Sequence, residues 1–324
     1  MKLVLSLFAA LLVLPAAQTA SAQSGYPNRP VKILVGFTPG TAPDLVARML
    51  ADRFAEVWGT PFVVENIAGA GSNIATDRVA KAAADGYTLL MGGNSSLVIN
   101  PSLYETLSFD PLRDFAPISQ VFIAANVLAV PPELPVMTVA ELVALAKAKP
   151  GKLSYGHAGV GTSQHLGAEL FKYRAHVDIA AVPYRGTTAL MPDLVAGRIS
   201  LSFANIVNVL PLAREGKLRA LAITSIRRSA LAPELPTMAE SGFPGFEAVP
   251  WFGLLAPAGT ASDVLDKLHN ETVKALAMPQ LRQKFDELGL EPVGNTPAEF
   301  AAVIRKETPE WAKVIGDAGI KLGN

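Results

Sequence analysis

The sequence predicts an α/β protein built as two lobes with a cleft between them. Three observations carry that expectation. Short β-branched apolar runs alternate with helically spaced runs over residues 31–91, the same alternation restarts near residue 125, and only helical patterns remain after Leu255.

In the first set, Val31-Lys-Ile-Leu-Val-Gly-Phe37 is bounded by Arg29-Pro30 and by Thr38-Pro39-Gly40, which marks a buried strand. Leu45, Met49, Leu50 and Phe54 then recur at helical spacing. Phe62 to Glu65 predicts a strand, Asn73 to Ala84 a helix and Tyr87 to Met91 another strand. In the second set, strands are expected at Asn126–Val130, Leu153–Tyr155, Ile179–Pro183, Ile199–Phe203 and Leu218–Thr224, and helices at Thr138–Ala148 and Ser163–Tyr173. A Pro- and Gly-rich stretch, Glu234 to Gly245, leads to the apolar run Val249 to Leu255. Helices over Ala261–Ala277, Gln280–Leu288 and Ala298–Ala318 complete the chain. This helical tail is expected to pack back on the first lobe. Domain 1 then comprises 23–124 plus 249–324, and domain 2 comprises 125–248. Two chain crossings join them, an arrangement that makes a hinged cleft and a common ligand location.

Composition narrows the function. Lys2, an apolar run from Leu3 to about Ala17 and Ala20-Ser21-Ala22 have the layout of a secretory leader over residues 1–22. The run is short of the roughly 20 apolar residues that span a membrane. The chain is 50% hydrophobic and 17% charged, so it buries a sizeable core. It has no cysteine, which excludes a disulfide framework, thiol catalysis and cysteine-ligated metal. Lys and Arg (28) balance Asp and Glu (28), and no long basic run suggests nucleic acid or an anionic membrane as partner.

Three loops share a strand, a polar Gly-containing turn and a helix start. In Phe37-Thr38-Pro-Gly40-Thr-Ala42-Pro-Asp44, Thr41 and Asp44 have capping-box spacing and Pro43 suits the first helical turn. In Gly156 to His165, three glycines allow close backbone approach, and Thr162 or Ser163 is placed to cap a helix. The third loop is Pro183-Tyr184-Arg185-Gly186-Thr-Thr188. Converging helix starts expose unpaired N–H groups and form an anion site without metal or a basic cluster. One helix start offers a carboxylate roughly 0.3–1 kcal/mol, and burying that carboxylate costs several kcal/mol, so two starts and several hydrogen bonds are required. On composition alone, ordinary capped βα turns explain the same loops.

Catalytic readings have less support. Ser163 and His165 are two apart on an expected helix and face different directions. No G-x-S-x-G, P-loop or H-E-x-x-H pattern occurs, and Gly69-Ala-Gly-Ser-Asn73 does not complete a dinucleotide-binding pattern. The four histidines show no metal-ligand spacing, so no cofactor and no metal are expected. Asp44 reads as a cap, with a ligand ammonium as the alternative, and Arg185 as a solvated side chain or a carboxylate clamp. Trp251, Phe252 and Trp311 read as core.

The segments Tyr26–Pro30, Val64–Asn66, Ala84–Leu89, Asp114–Pro117, Pro150–Leu153, Ser163–Leu166, Val182–Gly186 and Gly216–Ala222, in that order, resemble the receptors of tripartite tricarboxylate transporters. These are the Bug or TctC-like family of periplasmic binding proteins, and the resemblance covers essentially all of the mature chain. It implies a type II-like periplasmic-binding-protein fold, with each lobe a mixed sheet flanked by helices and joined by a two-strand hinge. It also implies a monomeric periplasmic receptor that closes on a small carboxylate and delivers it to a membrane permease. The ligand-binding positions it implies are Phe37, Thr38, Gly40, Ala42 and Asp44, with Gly159, Thr162, Ser163 and His165, then Tyr184 and Arg185. Asn94 and Asn205 are expected to line the cleft after their own strands. The chain departs from the family pattern at Thr41-Ala42-Pro43, at Ala204 where an acid is usual, and at Pro192, which is expected to remove a helical hydrogen bond or delay the helix. A sensory receptor presenting ligand to a membrane kinase, or a cleft hydrolase, are the alternative functions.

Overall fold

The computed structural model describes residues 25–317 and 319–320, so the leader expected over 1–22 lies outside the described residues. In chain order the elements are β1 (Val31–Val35), α1 (Ala42–Trp58), β2 (Phe62–Asn66), α2 (Asn73–Ala80), β3 (Thr88–Gly93), α3 (Asn100–Leu103), β4 (Phe115–Ala124) and β5 (Asn126–Val130). There follow α4 (Val139–Ala148), β6 (Ser154–His157), α5 (Ser163–Ala175), β7 (Ala180–Pro183), α6 (Thr187–Val195), β8 (Leu201–Asn205), α7 (Ile206–Arg214) and β9 (Arg219–Ile223). The last part holds β10 (Trp251–Pro257), α8 (Ser262–Ala277), α9 (Pro279–Leu288), β11 (Leu290–Pro292) and α10 (Pro297–Asp317).

Two mixed sheets result, in the orders β11-β4-β10-β3-β1-β2 and β7-β6-β8-β5-β9. Each contains a parallel group, β2-β1-β3 in one and β7-β6-β8 in the other, extended by antiparallel strands. Both faces of each sheet are buried, and the period of two explains how. Val31, Ile33 and Val35 of β1 join the apolar cluster under α1, α8 and α9, whereas Leu34 joins the one under α2 and α10. Leu128 and Val130 of β5 pack toward α4 and α5, Val127 and Ala129 toward α6 and α7. The near-continuous apolar runs of these strands follow from that double burial.

The helical tail returns to the first sheet: β10 is inserted between β3 and β4, and β11 pairs with β4. The chain crosses to the second sheet at Ala125 and comes back through residues 224–250. The crossings are hydrogen-bonded side by side, Thr224 N donating to Asn126 O (2.9 Å) and Ala124 N to Pro250 O (2.8 Å). Thr224 Oγ1 adds a bridge, accepting from Asn126 N (3.1 Å) and donating to Ala248 O (3.0 Å).

Several elements differ from expectation. β4 has no counterpart in the sequence reading, because Pro117, Ser119 and Gln120 interrupt its apolar run. Pro117 sits at a register irregularity against Leu255, where a missing N–H is tolerated in an interior strand. A π-helical turn over Ser95–Ile99 and helix α7, which contains Pro211, are further additions. The helix expected over 73–84 stops at Ala80. Pro192 lies inside α6 without delaying it, since the helix starts at Thr187 directly after Gly186. Its effect is the loss of one internal hydrogen bond. Ala204, the position of the missing acid, is fully buried in the apolar cluster beneath α6 and α7.

Candidate functional site

In an open α/β sheet a crevice forms beyond the carboxyl ends of the parallel strands, where the strand order reverses. Here the two sheets present those ends to one another. The loops after β1, β2 and β3 and those after β6, β7 and β8 enclose a cavity of about 550 Å³. Phe37, Thr38 and Ala42 lie on its first wall and Gly159, Thr162, Ser163, Tyr184, Arg185 and Asn205 on its second. Of the remaining expected residues, Gly40, Asp44, Asn94 and His165 stand behind the lining rather than on it.

Each of the latter has another partner. Asp44 is 1% exposed, and its carboxylate accepts from Gly40 N (2.9 Å) and Asn66 Nδ2 (2.9 Å) and pairs with Arg48 (2.9 Å). Burial alone raises its pKa, but the hydrogen bonds from Arg48, Gly40 and Asn66 outweigh that and hold it below the usual carboxylate value. Its acceptor sites are engaged, which removes the ammonium alternative. The capping box is also absent, because Thr41 Oγ1 donates to Thr38 O (2.7 Å) and makes no cap bond. Asn94 is buried and donates from Nδ2 to Val249 O (3.0 Å), tying the end of β3 to the return crossing.

His165 braces the glycine loop from behind. Its Nδ1 accepts from Gly161 N at 3.5 Å, a long contact, while His157 Nδ1 accepts from Gly159 N at 3.3 Å. The two rings are 4.6 Å apart. Burial, then the neighbouring His157 and Lys172, push the pKa of His165 down to about 3, and burial lowers that of His157. Both rings are therefore neutral acceptors at pH 7. Ser163 Oγ accepts from Asn126 Nδ2 (3.1 Å), so neither half of a serine–histidine pair is turned toward the other.

Helix starts dominate the cavity wall. Thr162 is the N-cap of α5: its Oγ1 accepts from His165 N (3.4 Å) and donates to Gly159 O (2.7 Å). The N–H groups of Ser163 and Gln164 point from the first turn of that helix. The Gln164 side chain joins α5 to α6, accepting from Ala158 N (3.1 Å) and donating to Thr187 Oγ1 (2.8 Å). Gly186, at φ 108°, opens α6 with no side-chain cap and touches the first wall, since a Cβ there would stand 3.2 Å from Thr38 Oγ1. Tyr184 donates to Asp193 Oδ2 (2.7 Å); burial and that carboxylate raise its pKa to about 12. Arg185 makes no ion pair among the described residues and is the one charged side chain on the wall.

Ser72, Gly71, Asn126, Asn208, Pro250 and Phe252 also line the cavity and were not expected there. Phe252, read from sequence as core, is both: it stacks on Phe122 and meets Phe37 edge-on at 5.5 Å between centroids. Gly69 to Ser72, whose glycines do not complete a dinucleotide-binding pattern, forms part of the first wall. Among the described residues no group of three or more His, Asp or Glu is placed to hold a metal ion, and no helix is long and apolar enough to cross a membrane.

A two-lobed α/β receptor with a ligand cleft between its sheets is the class that fold and site define. The model of the tripartite tricarboxylate transporter family receptor matches residues 46–320, and the chain belongs to that family. It is 39% identical over 298 residues to protein BugT of Bordetella pertussis, covering 92% of this chain and 91% of BugT. It is also similar to the solved structure of R. palustris Rpa4515 with adipate (TM-score 0.87, 38% identity, 91% of this chain and 99% of that one). A third match is MatC from Rhodopseudomonas palustris with bound malate (TM-score 0.84, 31% identity, 90% of this chain and 100% of that one). The protein is thus a solute-binding receptor and not an enzyme, which removes the hydrolase alternative.

Proposed function

We propose that the protein is an exported periplasmic receptor that captures a small organic carboxylate by lobe closure and delivers it, as a monomer, to the membrane partners of a tripartite transporter. The lobes are 23–124 plus 249–324 and 125–248, and the leader is 1–22. The carrying observation is the cavity wall: three helix starts, α1, α5 and α6, meet beside Arg185, and among the described residues no acidic side chain lines the cavity. Converging N–H groups and one guanidinium suit a carboxylate, each charge-assisted bond being worth about 1.5–3 kcal/mol. The residues on the two walls, Phe37, Thr38 and Ala42 with Gly159, Thr162, Ser163, Tyr184, Arg185 and Asn205, contact the ligand; Gly40, Asp44 and His165 hold those loops in shape. Adipate in Rpa4515 and malate in MatC support the ligand class.

Native mass spectrometry of the purified protein, followed by a thermal-shift screen of carboxylates on ligand-free material, tests this. A ligand at a hundredfold excess over its Kd is expected to add about 2.7 kcal/mol of stability. Flat responses across mono-, di- and tricarboxylates would overturn the assignment.

A further inference from the structure

The turn Gly69 to Ser72 has features that folding alone does not require. Ala70, Gly71 and Ser72 lie at φ of 46°, 60° and 78°, a left-handed region that a residue with a Cβ enters only at a cost. Ser72 is 1% exposed and packs so closely on the end of β1 that a Cβ at Gly36 would overlap its Oγ. Its carbonyl accepts from Thr76 Oγ1 (3.0 Å), but its own Oγ has no hydrogen-bond partner among the described residues, although Ser72 lines the cavity.

The other lobe carries a matching feature. Asn126, at the start of β5, is 1% exposed and lines the same cavity. Its Nδ2 donates to Ser163 Oγ, and its Oδ1 has no partner among the described residues. Buried polar atoms are nearly always paired, because leaving one unpaired forfeits its hydration. Asn94 Oδ1 and Asn100 Oδ1 are also unpaired among the described residues but belong to residues off the cavity lining, so among the lining residues each lobe brings one such atom, Ser72 Oγ and Asn126 Oδ1.

We propose that Ser72 and Asn126 form a hydroxyl-recognising subsite, so that the preferred ligand is a hydroxy-substituted carboxylate. This rests on the proposed capture of a carboxylate in the cleft. The ligand hydroxyl donates to Asn126 Oδ1 and accepts from the Ser72 hydroxyl, and a hydroxyl is the smallest group that does both. It also matches the amide turned the other way, with Ser163 Oγ donating to Oδ1 and Nδ2 donating to the ligand. An ammonium can donate to both side chains but brings a charge that no acidic side chain on the cavity wall meets among the described residues. Ser72 and Asn126 are specificity-determining contacts in this scheme, separate from the helix starts that hold the carboxylate.

Isothermal titration with matched pairs, malate against succinate and 3-hydroxyadipate against adipate, provides the test. The hydroxylated member of at least one pair is expected to bind about tenfold tighter. Ser72→Ala is expected to bring that ratio close to one while leaving the melting temperature of the ligand-free protein unchanged, because its Oγ bonds nothing among the described residues. Asn126→Ala, which also frees Ser163, is expected to reduce the same ratio. Equal binding within every pair that binds overturns the hydroxyl subsite and leaves the carboxylate assignment standing. A lower melting temperature for ligand-free Ser72→Ala with an unchanged ratio assigns Ser72 a structural role and overturns the subsite as well. Absence of binding by all four acids overturns the subsite, and the carboxylate assignment falls with it when mono- and tricarboxylates also fail to bind.

Discussion

Glu307 offers a sharp test of how α10 is seated on the first sheet. Its carboxylate accepts from Trp251 Nε1 at 2.7 Å, at the point where the return crossing becomes β10. Burial, followed by the charges of Glu310 and Glu247, raises its pKa from 4.5 to about 7, against the Trp251 hydrogen bond and Lys306, which lower it. The folded protein therefore holds a proton that the unfolded chain releases. Below pH 4.5 both states are protonated and the site has no pH-dependent cost. Between pH 4.5 and 7 stability is lost as pH rises, and above 7 the loss is complete. The interval of 2.5 pH units, at about 1.4 kcal/mol per unit, sets a ceiling of about 3.5 kcal/mol. Glu307→Gln keeps an oxygen for Trp251 Nε1 and cannot ionise. Urea denaturation of both proteins at pH 5 and pH 8 measures the effect: the variant should gain on the wild type at pH 8 by up to about 3 kcal/mol more than at pH 5. A difference between the two proteins that is the same at both pH values, within about 0.5 kcal/mol, would refute the buried, proton-holding carboxyl.

Three further outcomes follow from the cleft. Arg185→Gln should weaken carboxylate binding by at least about tenfold in isothermal titration with little change in melting temperature, since the side chain makes no ion pair among the described residues. Thr162→Ala should cost about 1 kcal/mol of stability through the lost α5 cap and also weaken binding; unchanged urea midpoints would show that the cap bonds at 3.4 and 2.7 Å contribute nothing. Gly161→Ala should hold the lobes apart, because Gly161 lies at φ 78° and its Cβ would overlap Asn100 Oδ1 of the first lobe. Small-angle scattering should then give a larger radius of gyration than wild type, together with weaker ligand binding.

The alternation of strands and helices was legible because most strands are short apolar runs between turn residues, as in Val31 to Val35 with Arg29-Pro30 before it. β4 was not, because its polar residues are satisfied from far along the chain: Ser119 Oγ donates to Asn295 O (2.7 Å) and Gln120 N to Asn295 Oδ1 (2.9 Å). A local pattern carries no sign of a partner 175 residues away. Asn94 illustrates the same limit at the site. It follows a strand, as a cleft residue should, yet its amide is held by Val249 at the end of the return crossing. The three βα loops were readable from glycine and cap spacing, while Thr38, Gly159, Thr162 and Arg185, which lie on the cavity wall, were implied as ligand positions by the family resemblance. Asp44 shows where spacing misleads: it has the interval of a capping box but serves Gly40, Asn66 and Arg48. Ser72 depends on a left-handed backbone that no residue type other than glycine announces.

A cleft proposed to hold an anion with one arginine among the described residues makes sense once its donors are divided between lobes. The α1 start belongs to the first sheet, and the α5 and α6 starts belong to the second. One lobe's helix starts give a carboxylate roughly 0.3–1 kcal/mol each, up to about 2 when partly buried, which is less than the several kcal/mol that its burial costs. The first wall, with one helix start and no charged side chain, therefore retains a carboxylate poorly, and the second, with two starts and Arg185, gains from closure. With the lobes in contact, as Gly186 is against Thr38 and Gly71 against Val160 O, the donors of both act on one carboxylate. The differential affinity between open and closed forms is what permits a ligand to shift their balance. In the proposed receptor, then, opening removes the α1 wall's donors at once and leaves the carboxylate with the α5 and α6 starts and Arg185, open to water.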